Sequence, residues 1–535
     1  MMDRSIGAQQ KYLLVTMESL MPEKHFLRDL DRLVDFSFVY EKVEHLYSAS
    51  GRRSIDPVVI VKMMLLGYLY GINSERRLEQ EVQVNIAYRW FLGIDLNDTV
   101  PDHSTFSQLR RRKFNGSAIF EDIFTKIVRR CMEYGLIDGK LLLTDSTHVR
   151  ANVRNDIVEQ ITVDAEPAEY LKRLNEEAKQ EGIYPQKRKS SDNDMETPEK
   201  KQTVIRKSPT DPDCGFMNRP GKPLGFHYLS HETCDSKHGL ITDVYVTPGN
   251  VNDSTVHSSR IQYQIEKFGF PVKAVCADKG YDNTEIHYDM LHCGIKTFIP
   301  KKAARRTAKG IFCADDFQYD PETDSLICPN NIRMPFLSYS PKAGTKRYTC
   351  TAKDCEVCPL RAQCITGKAP CRQIDRAYHK YEMDVQHLND NTPEFREAMR
   401  LRQIYCEGNF SHQKAKHNLT RLRMWGIGKA FEHCLLSATA LNLKRMIRLL
   451  TRQSDRSEIL DFYIGGHFFC KECSLLYAAL STAPQWTHLC LYGNNKIKNS
   501  TTIGFSAAVV LYFFNSTLIQ SGKLKPPEEQ FTQAL

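Results

Sequence analysis

Two apolar runs in this chain each end abruptly in an aspartate. The first begins at Lys140 and ends at Asp145, and the second begins at Val272 and ends at Asp278. Short apolar runs of this kind predict buried strands, and Gly280 permits a tight turn after the second run. The pattern therefore predicts two strand ends that each present one carboxylate.

A third carboxylate, Glu407, lies in a long segment with helical spacing. Basic residues stand seven positions to either side of it, Arg400 before and Lys414 after, and this spacing brings them toward one face of a helix. Two strand aspartates and one helix glutamate form the kind of carboxylate set that holds two divalent metal ions for phosphodiester chemistry. Asp282 is the substitute for Asp278 if that residue only forms a turn.

Residues 1–135 have the pattern of an all-helical domain. After Asp56 and Pro57 the apolar residues keep helical spacing, and Asp102 is placed to cap a later helix. The end of that later helix is strongly basic, and such a helix contacts phosphates or bases when it enters a DNA groove. A charged, solvent-facing surface is the alternative. The predicted DNA contacts are Arg110, Arg111, Arg112 and Lys113.

Strand and helix patterns alternate through the middle of the chain. A hairpin is predicted near residues 225–247 and a helix near residues 254–268. Together with the two aspartate-bearing strands, these elements predict an α/β fold, a mixed sheet flanked by helices. This predicted domain is built from residues 136–309 and 385–450.

The interval between Asp278 and Glu407 is longer than the remaining elements need, so an inserted subdomain is predicted at residues 310–384. It is rich in cysteine and includes a Cys-x-x-Cys pair, which has the reach for a tetrahedral structural zinc ion. A small subdomain of reduced thiols without metal is the alternative. The predicted zinc ligands are Cys328, Cys355, Cys358 and Cys364.

Composition is that of a multi-domain globular protein. The chain has 535 residues, of which 41% are hydrophobic and 26% charged, and its net charge of +9 is concentrated in clusters that suit a polyanion. Its 17 cysteines occur without a secretory signal, which favours reduced thiols in a cytoplasm. Polar residues interrupt the apolar run from Ile503 to Ile519, so no membrane partner is expected.

A series of short motifs resembles those of the DDE transposases of bacterial insertion sequences, in the branch with a helical N-terminal domain and a Cys-containing insertion before the catalytic glutamate. The resemblance spans roughly residues 20–450, and residues 451–535 form a C-terminal tail of unknown role. Each motif is weakly specific, and their order along the chain carries the resemblance. The motifs are Val100–Phe106, Thr144–Thr147, Ser208–Asp213, His238–Gly239, Val246–Val251, Ala277–Asp282 and Cys358–Arg361.

The resemblance implies an RNase H-like fold with Asp145, Asp278 and Glu407 as the catalytic residues. It implies that these acids hold two Mg²⁺ or Mn²⁺ ions, with Asp145 bridging both. The implied partner is double-stranded DNA, comprising the element's own ends and the target, bound by a homodimer on paired ends. The implied location is the bacterial cytoplasm, in association with the nucleoid.

The family signature on the last catalytic helix is only partly present. Lys414 follows Glu407 at the family spacing, and the resemblance implies that Lys414 contacts DNA. Gln403 stands where the family has arginine, with Arg402 one residue away, and Arg400 stands where the family has tyrosine. DNA contacts by Arg402 and Arg400 are therefore expected at shifted positions.

The predicted function is that of a transposase that cleaves and joins the ends of its own insertion sequence by a two-metal-ion mechanism. One alternative is a catalytically inactive or domesticated transposase-derived DNA-binding protein, which would keep its whole activity after Asp145→Ala. Another is a nuclease that hydrolyses nucleic acid without joining it. The same metal site serves cleavage and joining, so the sequence does not separate that alternative.

Overall fold

The computed structural model describes residues 15–47, 54–114, 116–164, 169–181, 202–219, 221–303, 310–365 and 367–465. The chain divides into two units, Met1–Gln453 and Ser454–Leu535, and the side-chain contacts below all belong to the first. The apolar run from Ile503 to Ile519 and most of the predicted tail lie outside the described residues. None of the described helices is long and apolar enough to cross a membrane.

The N-terminal region is helical, as its apolar spacing predicts. Its helices are α1 (Met17–Leu20), α2 (Phe26–Leu33), α3 (Phe38–Val43), α4 (Pro57–Leu69), α5 (Glu75–Val84), α6 (Ile86–Leu92), α7 (His103–Arg112) and α8 (Ile119–Glu133), with a 3₁₀ turn at Glu44–Leu46. Asp56 caps α4, whose first residue is Pro57, and Asp102 caps α7. Helix α4 is buried along most of its length, so it is the centre of this region.

The middle of the chain supplies eight strands and three helices. These are β1 (Leu141–Arg150), β2 (Glu159–Asp164), α9 (Glu169–Gln180), β3 (Gln202–Lys207), β4 (Gly215–Met217), β5 (Gly225–Asp235), β6 (Ile241–Pro248), α10 (His257–Phe268), β7 (Ala274–Cys276), α11 (Thr284–His292) and β8 (Lys296–Phe298). Short 3₁₀ turns occupy Asp253–Val256 and Lys279–Tyr281. The hairpin predicted near residues 225–247 corresponds to β5 and β6.

Strand order identifies the main sheet. Strands β6, β5, β1, β7 and β8 lie side by side in that order, and the short β4 also pairs with β5. Strand β1 is antiparallel to β5 and parallel to β7, which is parallel to β8. This is the order and direction of an RNase H-like sheet, so the predicted fold class is confirmed.

The Cys-rich segment forms its own small sheet. It comprises β9 (Gln318–Asp320), β10 (Ser325–Ile327), β11 (Arg333–Ser340), β12 (Thr345–Thr349), α12 (Ala352–Glu356), α13 (Arg361–Cys364) and β13 (Gln373–Ala377), after a 3₁₀ turn at Ala314–Asp316. The strands follow one another in the sheet from β13 to β9. Leu326, Met334 and Tyr348 are among the residues of a hydrophobic core separate from the main one.

The chain then returns to the main sheet through helices. These are α14 (Lys380–His387), α15 (Pro393–Arg402), a π-helical turn at Gln403–Glu407, α16 (Gly408–Lys416) and α17 (Ile427–Gly465). Residues of α4, β1 and α17 belong to one continuous hydrophobic core. The N-terminal helices and the main sheet are therefore packed together in the first unit.

Candidate active site

Sheet register brings the first two predicted acids together. Leu143 of β1 pairs with Cys276 of β7 in parallel, and Asp145 and Asp278 each follow two positions later. Because neighbouring strands lie about 5 Å apart, the two carboxylates emerge side by side at one end of the sheet. Asp278 also accepts a 2.8 Å hydrogen bond from the Gly280 N–H, which fixes the turn after β7.

Arg402 lies among all three predicted acids. Its Nη1 donates a 2.7 Å hydrogen bond to Asp145 Oδ2, and its Nη2 lies 3.9 Å from Glu407 Oε1. The Arg402 side chain is 12% exposed, whereas that of Glu407 is 57% exposed. Burial alone would lower the pKa of Arg402, but the charges of Asp145 and Asp278 raise it above its ordinary value. One buried guanidinium thus offsets part of the negative charge of the acid cluster.

Asp145 is the most constrained of the three acids. Burial raises the pKa of its carboxyl, Arg402 and the Ser146 N–H lower it in part, and the nearby Asp278 raises it again. The net shift is upward. The strand predicted to end at Asp145 continues to Arg150, so this residue lies within β1, whereas Asp278 follows the end of β7. Two neighbouring carboxylates attract a cation, because a positive charge relieves both their repulsion and the cost of their burial.

The π-helical turn explains the position of Arg402. In an α-helix the residue four positions before Glu407 shares its face, and this residue is Gln403. A π turn holds one extra residue, so the residue five positions before, Arg402, takes that place instead. The turn at Gln403–Glu407 therefore brings Arg402 beside Glu407. In the sequence Arg402 is one residue away from the family's arginine position, but in the structure its Nη2 lies 3.9 Å from Glu407 Oε1.

Lys414 reaches the same end of the sheet from α16. Its Nζ donates a 2.6 Å hydrogen bond to Thr147 Oγ1, and Thr147 shares a face of β1 with Asp145 because strand side chains alternate. Burial lowers the pKa of Lys414, while Glu232 raises it in part. The ammonium lies next to the acids, at the position that the sequence predicts for a DNA contact.

Glu232 is a fourth carboxylate that the sequence analysis missed. It pairs directly with Asp145 across the antiparallel β1–β5 register and is only 5% exposed. Its Oε2 accepts a 2.7 Å hydrogen bond from Gln413, and burial raises its pKa to about 8. The polar residues of β5 surround it in the sequence, so no local signal set Glu232 apart.

The turn between β5 and β6 positions the helix that bears Glu407. Gly239 has a φ of 68°, and its carbonyl accepts a 3.0 Å hydrogen bond from Asn409. A Cβ at Gly239 would collide with the Tyr405 ring, which lies within the π turn. Close approach of the turn backbone therefore sets where Glu407 stands above the sheet.

The Ser208–Asp213 motif positions the last helix. Asp211 Oδ1 accepts hydrogen bonds from the Tyr228 hydroxyl at 2.8 Å and the Gly426 N–H at 3.1 Å. Asp213 accepts a 3.0 Å hydrogen bond from the Ile427 N–H, the first residue of α17. The motif therefore has a capping role in this fold.

The four DNA contacts predicted at the end of α7 differ in their exposure and in their partners in the structure. Arg110 is buried, pairs with Glu432 and Glu75 at 2.5 and 3.1 Å, and is not available to DNA, so that prediction is corrected. Arg111 and Arg112 are exposed. Lys113 is half-buried, donates to the Leu46 carbonyl and lies over the Tyr47 ring.

Two further basic and acidic candidates have defined partners. Arg400 is exposed and pairs with Glu397 at 2.7 Å, on the same helix. Asp282, the substitute for Asp278, is buried, and its Oδ1 lies within 3.0 Å of both His287 and His387. Its carboxylate is thus engaged by histidines, whereas Asp278 stands in register with Asp145.

The predicted zinc ligands share one cavity. Burial and the neighbouring Cys355 and Cys328 raise the pKa of the Cys350 thiol, and burial raises that of Cys364. Within the described residues, no three of the cavity sulfur atoms come within 4.8 Å of one another. The cysteines that line the cavity are Cys328, Cys350, Cys355, Cys358 and Cys364.

Comparison with known proteins adds two family models and one solved structure. No curated protein matches this chain. The cryo-EM structure of the piggyBac transposase synaptic complex with hairpin DNA is similar at 9% identity over 89% of this chain and 87% of that chain, with a TM-score of 0.32. At so low a TM-score, nothing about this chain's function follows from the likeness.

The two family models match separate stretches. A "Transposase domain (DUF772)" matches residues 15–112, and a "Transposase DDE domain" matches residues 327–447. The second match contains Glu407 and Lys414, while Asp145 and Asp278 lie between the two matches. Two separate stretches of the chain thus match transposase domains, and the second is of the DDE type.

Proposed function

We propose that this transposase cleaves and joins DNA at the ends of its own insertion sequence. The observation that carries the proposal is the cluster of Asp145, Asp278 and Glu407 around one buried positive charge, that of Arg402. Clustered carboxylates at the end of a sheet suit a cation better than any other ligand. Phosphodiester chemistry is the reaction that such a site serves.

The same acids fit Mg²⁺ or Mn²⁺, which prefer carboxylate oxygens. The fit rests on the donor set and on the negative charge that remains, because a single guanidinium faces three carboxylates. Two such ions, when bound, would activate the attacking water or 3′-hydroxyl and stabilise the leaving oxygen. Asp145 would contact both ions, with Asp278 and Glu407 each on one side.

The basic residues around the acids are proposed to hold the DNA. Lys414 lies beside Asp145 at Thr147, and Arg402 carries a charge that is free to turn to a phosphate once a metal ion neutralises the acids. Arg400, Arg111 and Arg112, which are exposed, are proposed to make further contacts along the duplex. Phosphate contacts of this kind position DNA and carry no sequence information.

Three wider elements complete the proposal. The protein is proposed to act as a homodimer on paired element ends and to be associated with the bacterial nucleoid. The Cys-rich subdomain is proposed to hold a structural zinc ion. Thiolates are the donor set of such sites, and a cation would relieve the burial that raises the thiol pKa of Cys350 and Cys364.

The test is cleavage of labelled duplexes that carry the DNA flanking the gene, with Mg²⁺ or Mn²⁺. The wild type should nick them at a fixed position, and Asp145→Asn should bind them without nicking. Glu394→Gln is the matched control, because Glu394 lies on α15 with a side chain that is 70% exposed, and it should cleave normally.

Two outcomes would favour the alternatives. Binding by the wild type without cleavage in any metal would support an inactive or domesticated DNA-binding protein. Cleavage that never yields joined products, in an assay that supplies a target duplex and a free 3′-hydroxyl, would support a nuclease.

A further inference from the structure

Two buried histidines meet one aspartate just beyond the Asp278 turn. Asp282 Oδ1 lies 2.9 Å from His287 Nε2 and 3.0 Å from His387 Nε2. The three side chains are 1%, 0% and 8% exposed, respectively. One carboxylate oxygen and two imidazole nitrogens therefore converge on a single point in the interior.

Each imidazole is also held from its far side. His287 Nδ1 lies 2.7 Å from Thr297 Oγ1, and His387 Nδ1 lies 3.0 Å from Asp390 Oδ2. Histidines that bind metals usually have such an outer partner, because it fixes the ring and leaves the lone pair of the other nitrogen directed at the ion. Both rings are thus oriented with Nε2 toward the point of convergence.

His387 lies between two carboxylates. Its two ring nitrogens face the carboxylates of Asp282 and Asp390, and a neutral ring would present one bare lone pair to a carboxylate oxygen. Either a second proton or a metal ion at Nε2 removes this conflict. A metal ion also compensates the burial of the Asp282 charge, for which the hydrogen bonds of neutral imidazoles are weaker partners.

We propose that Asp282, His287 and His387 bind a divalent transition-metal ion of the zinc type. Imidazole nitrogens and one carboxylate are ligands of Zn²⁺, whereas Mg²⁺ is held by oxygen ligands. The site is chemically distinct from the acids around Arg402, which offer oxygen only. It is also distinct from the cysteine cavity, which offers sulfur.

The proposed ion would tie three parts of the fold together. Asp282 follows the turn that begins at Asp278, His287 lies on α11, and His387 ends α14, the helix by which the chain leaves the Cys-rich segment. Asp282 Oδ2 also accepts a 2.6 Å hydrogen bond from the Lys302 N–H. The ion would therefore brace the turn of Asp278 against the helix that returns from the insertion.

The experiment measures zinc bound by the full-length chain. Wild type, His387→Gln and His379→Gln are loaded with Zn²⁺ alone, desalted and analysed for metal by mass spectrometry. His379 is the matched control, because it is a buried histidine at the N-terminal cap of the same helix that pairs with Glu177 and Glu382 and lies outside the cluster. His387→Gln should hold about one zinc ion per chain fewer than either other protein.

Zinc at the cysteines is common to all three proteins and cancels in the comparison. Cobalt gives a second measure: the difference spectrum between Co²⁺-loaded wild type and His387→Gln should show weak visible bands without the thiolate-to-cobalt band of sulfur ligands. A thiolate band in that difference would assign the lost metal to the cysteines and overturn the proposal. Equal metal in wild type and His387→Gln would do the same, and would leave His387 as a protonated link in a hydrogen-bond network.

Asp282→Asn guards against a folding artefact in the histidine variant. The amide keeps the shape of the side chain and an oxygen acceptor for the histidines, but it binds metal weakly. It should lose the same zinc ion while its thermal unfolding in chelator stays close to that of the wild type. Retention of the ion in Asp282→Asn, or its loss in His379→Gln, would show that these three residues are not the ligands.

Discussion

The guanidinium of Arg402 donates a 2.7 Å hydrogen bond to the Asp145 carboxylate. Under the proposed function, a metal ion held by Asp145 would compete with Arg402 for this carboxylate. Binding of the ion would then release the arginine to contact a phosphate. The first prediction follows from this competition.

We expect Arg402→Gln to bind Mn²⁺ more tightly than the wild type in the absence of DNA. Loss of a charged hydrogen bond to Asp145 is equivalent to roughly 1.5 kcal/mol, or about tenfold in affinity. The same variant should cleave DNA more slowly, because a phosphate contact is lost. Calorimetric titration with Mn²⁺ measures the first effect. Arg400→Gln, in which an exposed pair with Glu397 is lost, should leave Mn²⁺ affinity unchanged; equal affinities in all three proteins would contradict the competition.

The second prediction concerns pH. Glu232 is buried, and its folded pKa of about 8 lies above the ordinary value of 4.5. The folded state therefore holds a proton that the unfolded state releases, and the free energy of unfolding should fall as pH rises from about 5 to about 8. The slope contributed by one such group is at most about 1.4 kcal/mol per pH unit.

Urea unfolding across that range measures the slope in wild type and in Glu232→Gln. The variant should show a flatter dependence, because its amide does not titrate. Glu394→Gln, at an exposed position, should retain the wild-type slope. Parallel curves for wild type and Glu232→Gln would show that Glu232 ionises freely in the folded protein.

The third prediction separates structural from DNA-binding arginines on α7. Arg110→Ala leaves Glu432 buried, with only Lys429 at 2.8 Å as a partner. Removal of one member of a buried ion pair costs about 3–5 kcal/mol of unfolding free energy. Because Lys429 remains as a partner of Glu432, we expect a loss at the lower end of this range.

Arg111→Ala, at an exposed position, should unfold like the wild type but bind DNA more weakly. Denaturant midpoints and a salt-controlled binding assay measure the two effects.

The fourth prediction tests how the β5–β6 turn positions Glu407. Gly239 and Gly269 both have a φ of 68°, so alanine strains the backbone by about 1–2 kcal/mol at either site. Only at Gly239 does the added methyl group meet a neighbour, the Tyr405 ring of the π turn. Gly239→Ala should therefore lose DNA cleavage as well as stability, whereas Gly269→Ala should lose stability alone. Equal cleavage by the two folded variants would show that the turn does not position the glutamate.

The two strands of the site could be predicted from the sequence because an apolar run is a local signal. The end of the second strand before Asp278 was also predicted, but β1 continues past Asp145 to Arg150, because its polar second half pairs with β5, which is distant in sequence. The parallel pairing of β1 with β7 is then sufficient to bring Asp145 and Asp278 side by side. Helix starts at Asp56 and Asp102 were equally local, because a cap depends on its own first turn.

The predictions that were wrong or missing concerned residues whose partners are far away in the chain. Arg110 resembles its basic neighbours in sequence, and only Glu432, 322 positions later, makes it an interior residue. His387 reaches Asp282 across 105 positions, so no spacing rule could have joined them. The capping roles of Asp211 and Asp213 likewise depend on the start of α17, which is distant in sequence but adjacent in the fold.

The π turn at Gln403–Glu407 also shows how the continuous helical segment from α15 to α16 can accommodate one inserted residue. An insertion in a regular helix rotates everything before it by about 100° relative to everything after it. A wide turn takes up the extra residue locally, so α15 keeps its packing against the sheet and α16 keeps its own. A chain with such a turn can therefore lengthen by one residue between an arginine and a glutamate without losing their alignment. A position-by-position comparison of sequences would find Gln403, and no arginine, four positions before Glu407. In the folded chain, Arg402 lies beside that glutamate.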